Sequence, residues 1–328
     1  MDSSTALEPR LESKSFPYDN ILIPTDGGGS TQPAIRHGLS LAQVHQATVH
    51  ALHVVEDGSK YSGSPPEQLT QQEQWDAASA VETVIENAHP INLNVVPVIR
   101  SGSPVETICE YARENKIDLI ALGTHTRSRF KRALHRSVSE QVRRNSPIPV
   151  LSVDQNQFTQ TDDSSSTIQY TDVLVPTDGR KGATIALSHG IEIAHQYDAL
   201  LHGLFVVDRQ SIASRPGFTW KETTDSWTLR GRRILTNVAE QAASCDVDVR
   251  LTLTHGIPWK EIRDYTSEND IDLITTGTRG LTGIKRLLQP SVASRVIRKV
   301  AAPVITINRL TSPTRSRSQF LGEMNGGL

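Results

Sequence analysis

The 328-residue chain has only two cysteines, Cys109 and Cys245, too few for a disulfide framework. No stretch approaches the run of roughly 18 apolar residues that would span a bilayer as a helix. The first residues, MDSSTALEPRLESKSF, lack the apolar segment of a secretory signal, so a cytoplasmic protein without membrane contact is expected. Net charge is only −2, which gives neither the basic excess of a nucleic-acid binder nor an acidic tail. The eleven histidines show no HxxEH or Cys/His ligand spacing, so no metal site is expected. His50 and His53 look like a pair, but their odd spacing on a strand puts them on opposite faces. GxGxxG after the first strand and a Walker lysine motif are both missing, which argues against a dinucleotide dehydrogenase and a P-loop NTPase. Ser30 lacks the GxSxG elbow and a matched triad partner. With no legible nucleophile–base pair, metal cluster or acid pair, no enzymatic activity is expected.

What the chain does have is a repeat. NILIPTDGG at 20–28 returns as DVLVPTDGR at 172–180, and ATVHALHVV at 47–55 as ALLHGLFVV at 199–207, both 152 residues on. KIDLIALGT at 116–124 returns as DIDLITTGT at 270–278, and Pro149-Val150 as Pro303-Val304, now 154 residues on. Two residues therefore slip between about 56 and 101. A unit this long is a duplicated domain, not a solenoid repeat. The polar stretch 154–169 reads as a linker between a domain at 18–153 and a second at 170–308. Residues 1–17 are expected to be flexible. The tail 309–328 is expected to be disordered, and its TRSRS run is either solvated or a contact for acidic partners.

Each half alternates apolar runs with helical patterns. In the first half strands fit 19–25, 48–55, 93–99, 118–122 and 149–153. Helices fit 31–46, 67–88, 103–116 and 137–145. The near-continuous apolar strands predict a sheet covered on both faces, and the alternation predicts right-handed crossovers and a parallel sheet. The third helix carries Ser103 at the N-cap, Pro104 at N1 and Glu106 at N3, the pattern of a capping box. Val105, Ile108, Cys109 and Ala112 follow as one apolar stripe, which makes Cys109 a small core residue. The fold class is therefore α/β, with two tandem doubly wound domains of five parallel strands each. In such sheets ligands bind beyond the carboxyl ends of the strands where the strand order reverses, here expected between strands 1 and 4.

In the second half GTRGLTGIKRLLQPSVASRV runs from Gly277. Two glycines three apart follow a buried strand, then come a basic segment and Ser291 at a helix start. Glycines let backbone N–H groups approach phosphate, and a helix start adds free N–H groups. With PTDG ending strand 1, this pattern resembles the universal stress protein family over nearly all of both halves. The family pattern is a strand ending in Asp-Gly-Ser and, later, G-x2-G-x9-G-[ST] before the last helix. The resemblance implies a Rossmann-like fold of the adenine nucleotide alpha hydrolase type. In members that bind ATP, the strand-1 aspartate meets adenine and ribose while the glycine loop and the following serine hold the phosphates.

Carried over by position, the resemblance assigns Pro176, Thr177, Asp178 and Val206 to the nucleoside in the second half. It assigns Gly277, Arg279, Gly280, Ser291 and Val292 to the phosphates. Pro290, without an N–H, stands where the family has its third glycine. In the first half it assigns Asp26, Val54, Gly123 and Ser137, but Thr126 and Arg136 replace the second and third glycines. Arg127, Arg129, Lys131 and Arg132 add positive charge there. The resemblance also implies pairing through the last strand of each domain, PVLSV (149–153) with PVITI (303–307), within one chain. A homo-oligomer and a signalling protein partner remain open. Asp26 and Asp178 are read either as turn residues or as nucleoside contacts. Lys131-Arg132 and Lys285-Arg286 are read either as solvated charges or as phosphate contacts. Two functions compete: a stress-response protein binding ATP or another adenine nucleotide, mainly in its second domain, or a nucleotide-free dimerisation and interaction module.

Overall fold

The computed structural model describes residues 18–56, 70–124, 137–154, 168–208, 220–278 and 291–308. The first half runs β1 (Asn20–Pro24), α1 (Gln32–His45), β2 (Thr48–Val55), α2 (Gln71–Ala88), β3 (Val95–Ser101), α3 (Pro104–Glu114), β4 (Leu119–Thr124), α4 (Val138–Asn145) and β5 (Val150–Asp154). The second half repeats it as β6 (Asp172–Pro176), α5 (Lys181–Tyr197), β7 (Leu200–Asp208), α6 (Trp220–Ala243), β8 (Val249–Gly256), α7 (Pro258–Glu268), β9 (Leu273–Gly277), α8 (Val292–Ile297) and β10 (Val304–Ile307).

Within each half the five strands are parallel. The halves do not form two separate sheets. β10 pairs antiparallel with β5, Ile305 opposite Leu151, giving one ten-stranded sheet in the order β3-β2-β1-β4-β5-β10-β9-β6-β7-β8. The pairing satisfies backbone groups that would otherwise form two exposed edges. β1, β4, β6 and β9 are buried on both faces, as their apolar runs predict. β3 and β8 depart from that expectation. They are the outer edges, and most of their side chains are only half-buried.

The duplication extends to backbone conformation. All six non-glycine residues with positive φ among the described residues fall into matched pairs: Gln46 with Asp198, Asn92 with Asp246, and Lys116 with Asp270. The first pair keeps the 152 offset and the other two the 154 offset, so the slip lies between 46 and 92. Asn92 closes a short 3-10 turn, His89–Ile91, which delays β3 to Val95 from the expected 93. The capping box expected at Ser103 is absent: Ser103 occupies the N-cap, but its side chain makes no cap hydrogen bond. The box forms instead on α2, where Thr70 and Glu73 cap each other's backbone. Cys109 is buried in the cluster between α3 and the sheet.

The seam between the halves is a pseudo-twofold contact. Tyr18 bonds His189 Nδ1 at 2.8 Å, and its repeat partner Tyr170 bonds His37 Nδ1 at 2.7 Å. Residue i of one half thus meets j of the other and the reverse, the signature of an isologous interface. One apolar cluster runs through the seam, from Ile23 and Leu151 to Val175 and Ile305.

Candidate functional site

Strand order reverses between β1 and β4 in the first half and between β6 and β9 in the second. Beyond β6 the chain turns sharply into α5. Asp178 Oδ1 accepts the Arg180 N–H at 3.0 Å and Thr177 Oγ1 accepts the Gly179 N–H at 3.2 Å. Gly179 sits at φ +74, a conformation that favours glycine, and a Cβ there would push on the Ile234 side chain at 2.6 Å. The first half repeats the turn, with Asp26 Oδ1 accepting from Gly28 at 2.9 Å and Thr25 Oγ1 from Gly27 at 3.1 Å. The turn role weighed for both aspartates is therefore real. One carboxylate oxygen is engaged by the backbone, and Asp178 Oδ2 also lies 3.5 Å from Arg180 in an exposed ion pair.

Gly277 and Gly123 are correctly placed at the strand-4 ends, but their immediate neighbour is protein. A Cβ on Gly123 would stand 2.5 Å from the Ser30 carbonyl oxygen, and one on Gly277 2.5 Å from that of Gly182. Both glycines let the start of the half's first helix lie directly on the strand. These contacts fill the side-chain direction of each glycine.

In the second half the turn opens onto a cavity of about 690 Å³. It brings together Pro176, Thr177, Asp178, Val206, Gly277, Ser291 and Val292, seven of the nine residues expected there. The other two, Arg279 and Gly280, lie outside the described residues, as do Pro290 and the Lys285-Arg286 pair. Ser291 caps α8, its Oγ accepting the Ser294 N–H at 3.1 Å. The cavity has further walls: Leu204 and Phe205 of β7, Pro258 and Ile262 of α7, and Trp227 of α6. Arg180, Lys181 and Arg230 line it too, the Arg230 guanidinium 5.3 Å from the centre of the Trp227 ring. Sequence reasoning missed these three cations. Two were visible in the repeat, since Arg180-Lys181 stand where the first half has Gly28-Gly29. Trp227 and Arg230 lie on a helix with no matching apolar motif, and only the fold brings them to the crevice. The result is a largely apolar slot with three cations and the two acids Asp178 and Asp208 at its polar positions.

The first half is arranged differently. Asp26 is exposed, Val54 is half-buried on β2, and Gly123 is covered as described. Ser137 caps α4 through the Glu140 N–H at 3.3 Å, and with Thr124 it lines another cavity, one shared with the second half. Thr126, Arg127, Arg129, Lys131, Arg132 and Arg136 lie outside the described residues. His50 and His53 diverge as expected: His50 bonds Tyr111 at 2.8 Å and His53 the Thr25 carbonyl at 2.9 Å. No group of three or more potential metal ligands occurs among the described residues. None of their helices is long and apolar enough to cross a membrane.

Comparison with known proteins follows the same division of the chain. The universal stress protein family profile matches residues 17–154 and again 169–308. A universal stress protein of Methanocaldococcus jannaschii is 31% identical over 141 residues, 43% of this chain and 83% of that protein. A second from the same organism is 26% identical over 162 residues, 44% of this chain and 99% of that protein. The crystal structure of a universal stress protein from Archaeoglobus fulgidus matches 90% of this chain and 100% of its own with a TM-score of 0.65 at 21% identity, a likeness of fold. Two profile matches, on two halves that each carry the full strand order, leave one conclusion: the chain belongs to the universal stress protein family and carries two of its domains in tandem.

Proposed function

We propose that the protein binds ATP or another adenine nucleotide in the crevice of its second half. The observation that carries this reading is the 690 Å³ cavity at the strand-order reversal, with an apolar wall for a base and the cations Lys181 and Arg230 for phosphates. Asp178 and Val206 take the nucleoside end. Gly277, Ser291 and Val292, with Lys181 and Arg230, take the phosphate end, and Arg279 and Gly280 are assigned to it by sequence. Side-chain cations compensate there for Pro290, which has no N–H to offer. The first-half positions Asp26, Val54, Gly123 and Ser137 form the weaker site, since Gly28 and Gly29 stand there in place of Arg180 and Lys181.

The protein acts in this reading as a cytoplasmic stress-response binding protein, not an enzyme, and no protein-bound metal is required. Its domains are 18–153 and 170–308, with 154–169 as the linker. Nucleotide occupancy is read by a signalling partner or by a further copy of the chain. Calorimetric titration of ATP into the full chain tests this. One dominant site is expected, weakened about tenfold or more in Asp178→Ala and in Lys181→Gln/Arg230→Gln. The absence of heat, or equal affinities in all three proteins, refutes it.

A second reading has its own support. Asp26, Asp178, Gly123 and Gly277 are each accounted for by turns and packing, with no ligand needed. If ATP fails to bind, the chain is a nucleotide-free pairing module whose motif residues persist to build the fold.

A further inference from the structure

A different cavity, about 610 Å³, lies across the seam and is lined by both halves. Its centre of interest is Arg143 on α4. The side chain is only 7% exposed. It donates a hydrogen bond from Nη1 to the Ser294 hydroxyl of the other half at 3.3 Å. Among the described residues it makes no ion pair. Glu140, the carboxylate that acts on it, is engaged by Arg144 at 3.0 Å. A buried charge without a counter-ion is costly, and proteins resolve that cost with a partner.

The rest of the cavity sharpens the imbalance. The second half contributes Arg295, Arg298 and Lys299 from α8 and its C-terminal turn, with Trp259 of α7. The first contributes Glu140 and Asp154 besides Arg143. Four cations face two carboxylates, and both carboxylates already have interactions, Glu140 with Arg144. Burial, and the nearby Arg144 and Arg298 charges, pull the Arg143 guanidinium down to about 10, still protonated at neutral pH. Its positive charge is therefore present, and the one carboxylate that favours it, Glu140, is shared with Arg144.

We propose that this seam cavity binds a phosphate-class anion, held between Arg143 of the first half and Arg295, Arg298 and Lys299 of the second. Guanidinium groups suit the bidentate geometry of phosphate oxygens. Because the cations come from both halves, the bound anion bridges the seam and ties ligand binding to intramolecular pairing. The site is separate from the second-half crevice and does not depend on that crevice holding a nucleotide.

The test uses the full chain in low-salt buffer free of phosphate and sulfate, titrated calorimetrically with inorganic pyrophosphate. Binding is expected, together with a rise in Tm on ligand addition. Arg298→Gln/Lys299→Gln, at two exposed positions, should weaken it at least tenfold. Arg143→Met should abolish binding, yet keep the ligand-free Tm at or above that of the parent, because it removes an unpaired buried charge. The charge control Arg232→Gln/Arg233→Gln, on the exposed face of α6 and outside the lining of both cavities, should leave the pyrophosphate affinity within twofold. No binding by the parent, unchanged affinity in Arg298→Gln/Lys299→Gln, or an equal loss of binding in the charge control would each overturn the proposal. ATP added in competition distinguishes the sources: displacement of pyrophosphate marks a nucleotide polyphosphate as the ligand, and no displacement marks a simple phosphate anion.

Discussion

Acid should open this protein at its seam, and the histidines there set the size of the effect. His45 packs edge-on against Tyr18 with ring centres 4.8 Å apart, is 9% exposed, and has both ring nitrogens buried without a hydrogen-bond partner among the described residues. His189, 2% exposed, stacks on the other side of Tyr18 at 5.7 Å. Burial pushes both down to about 4 from the ordinary 6.5, and for His189 the neighbouring His45 adds to it. Both are therefore neutral in the fold and must charge as the pH falls. A depressed histidine pKa means that the unfolded chain binds more protons between the two values. Stability is then complete above pH 6.5 and lost as pH falls toward 4. At about 1.4 kcal/mol per pH unit, each ring costs about 3 kcal/mol, and the pair about 6, against a total stability of roughly 5–15 kcal/mol. His37 is also pushed down to about 4 by burial, but its partial exposure allows solvent to soften the cost.

The assay is urea denaturation from pH 7.5 to 4.5, a range above most carboxylate titrations. The parent should lose most of the 6 kcal/mol. His45→Phe keeps a ring against Tyr18 but cannot charge. It should lose about half as much, and at pH 7.5 it should be no less stable than the parent, since no hydrogen bond to His45 is removed. Parallel pH profiles for parent and variant would refute the reasoning.

Other consequences follow from single contacts. Tyr18→Phe and Tyr170→Phe each delete one seam hydrogen bond and should each cost about 1 kcal/mol in denaturant melts, nearly equally if the contact is pseudo-symmetric. Gly123→Ala and Gly277→Ala drive a Cβ into backbone and should each destabilise the chain by about 2 kcal/mol or more, measured in the absence of any ligand. Unchanged stability in the absence of ligand would show that helix-on-strand packing does not require these glycines. Pro290→Gly should tighten ATP binding by calorimetry about tenfold, the value of one added N–H donor to a charged group, while adenosine affinity stays the same.

Most of the architecture was legible because duplication states each element twice. The strand positions, the reversal at strands 1 and 4, and the pairing of the last strands follow from apolar runs and the family pattern. What escaped has physical reasons. The Tyr18–His189 and Tyr170–His37 bonds join residues 171 and 133 positions apart, and no local period encodes such a contact, although both residue types repeat at the 152 offset. Trp227 and Arg230 reach the crevice only because α6 packs on β7 and β8. Ser103 has a capping sequence, but its side chain adopts a direction that local sequence does not fix. At Gly123 and Gly277 one residue type served two readings, phosphate approach and helix-on-strand packing, and only the fold displays the second.

The most direct measurement of the central claim is photo-crosslinking of the full chain with an azido-adenine ATP analogue, followed by peptide mapping. The account predicts label concentrated on second-half peptides that line the crevice, around Val206 and α6, competed away by ATP and reduced in Asp178→Ala. Label concentrated on the first half, or label that ATP does not displace, would contradict it.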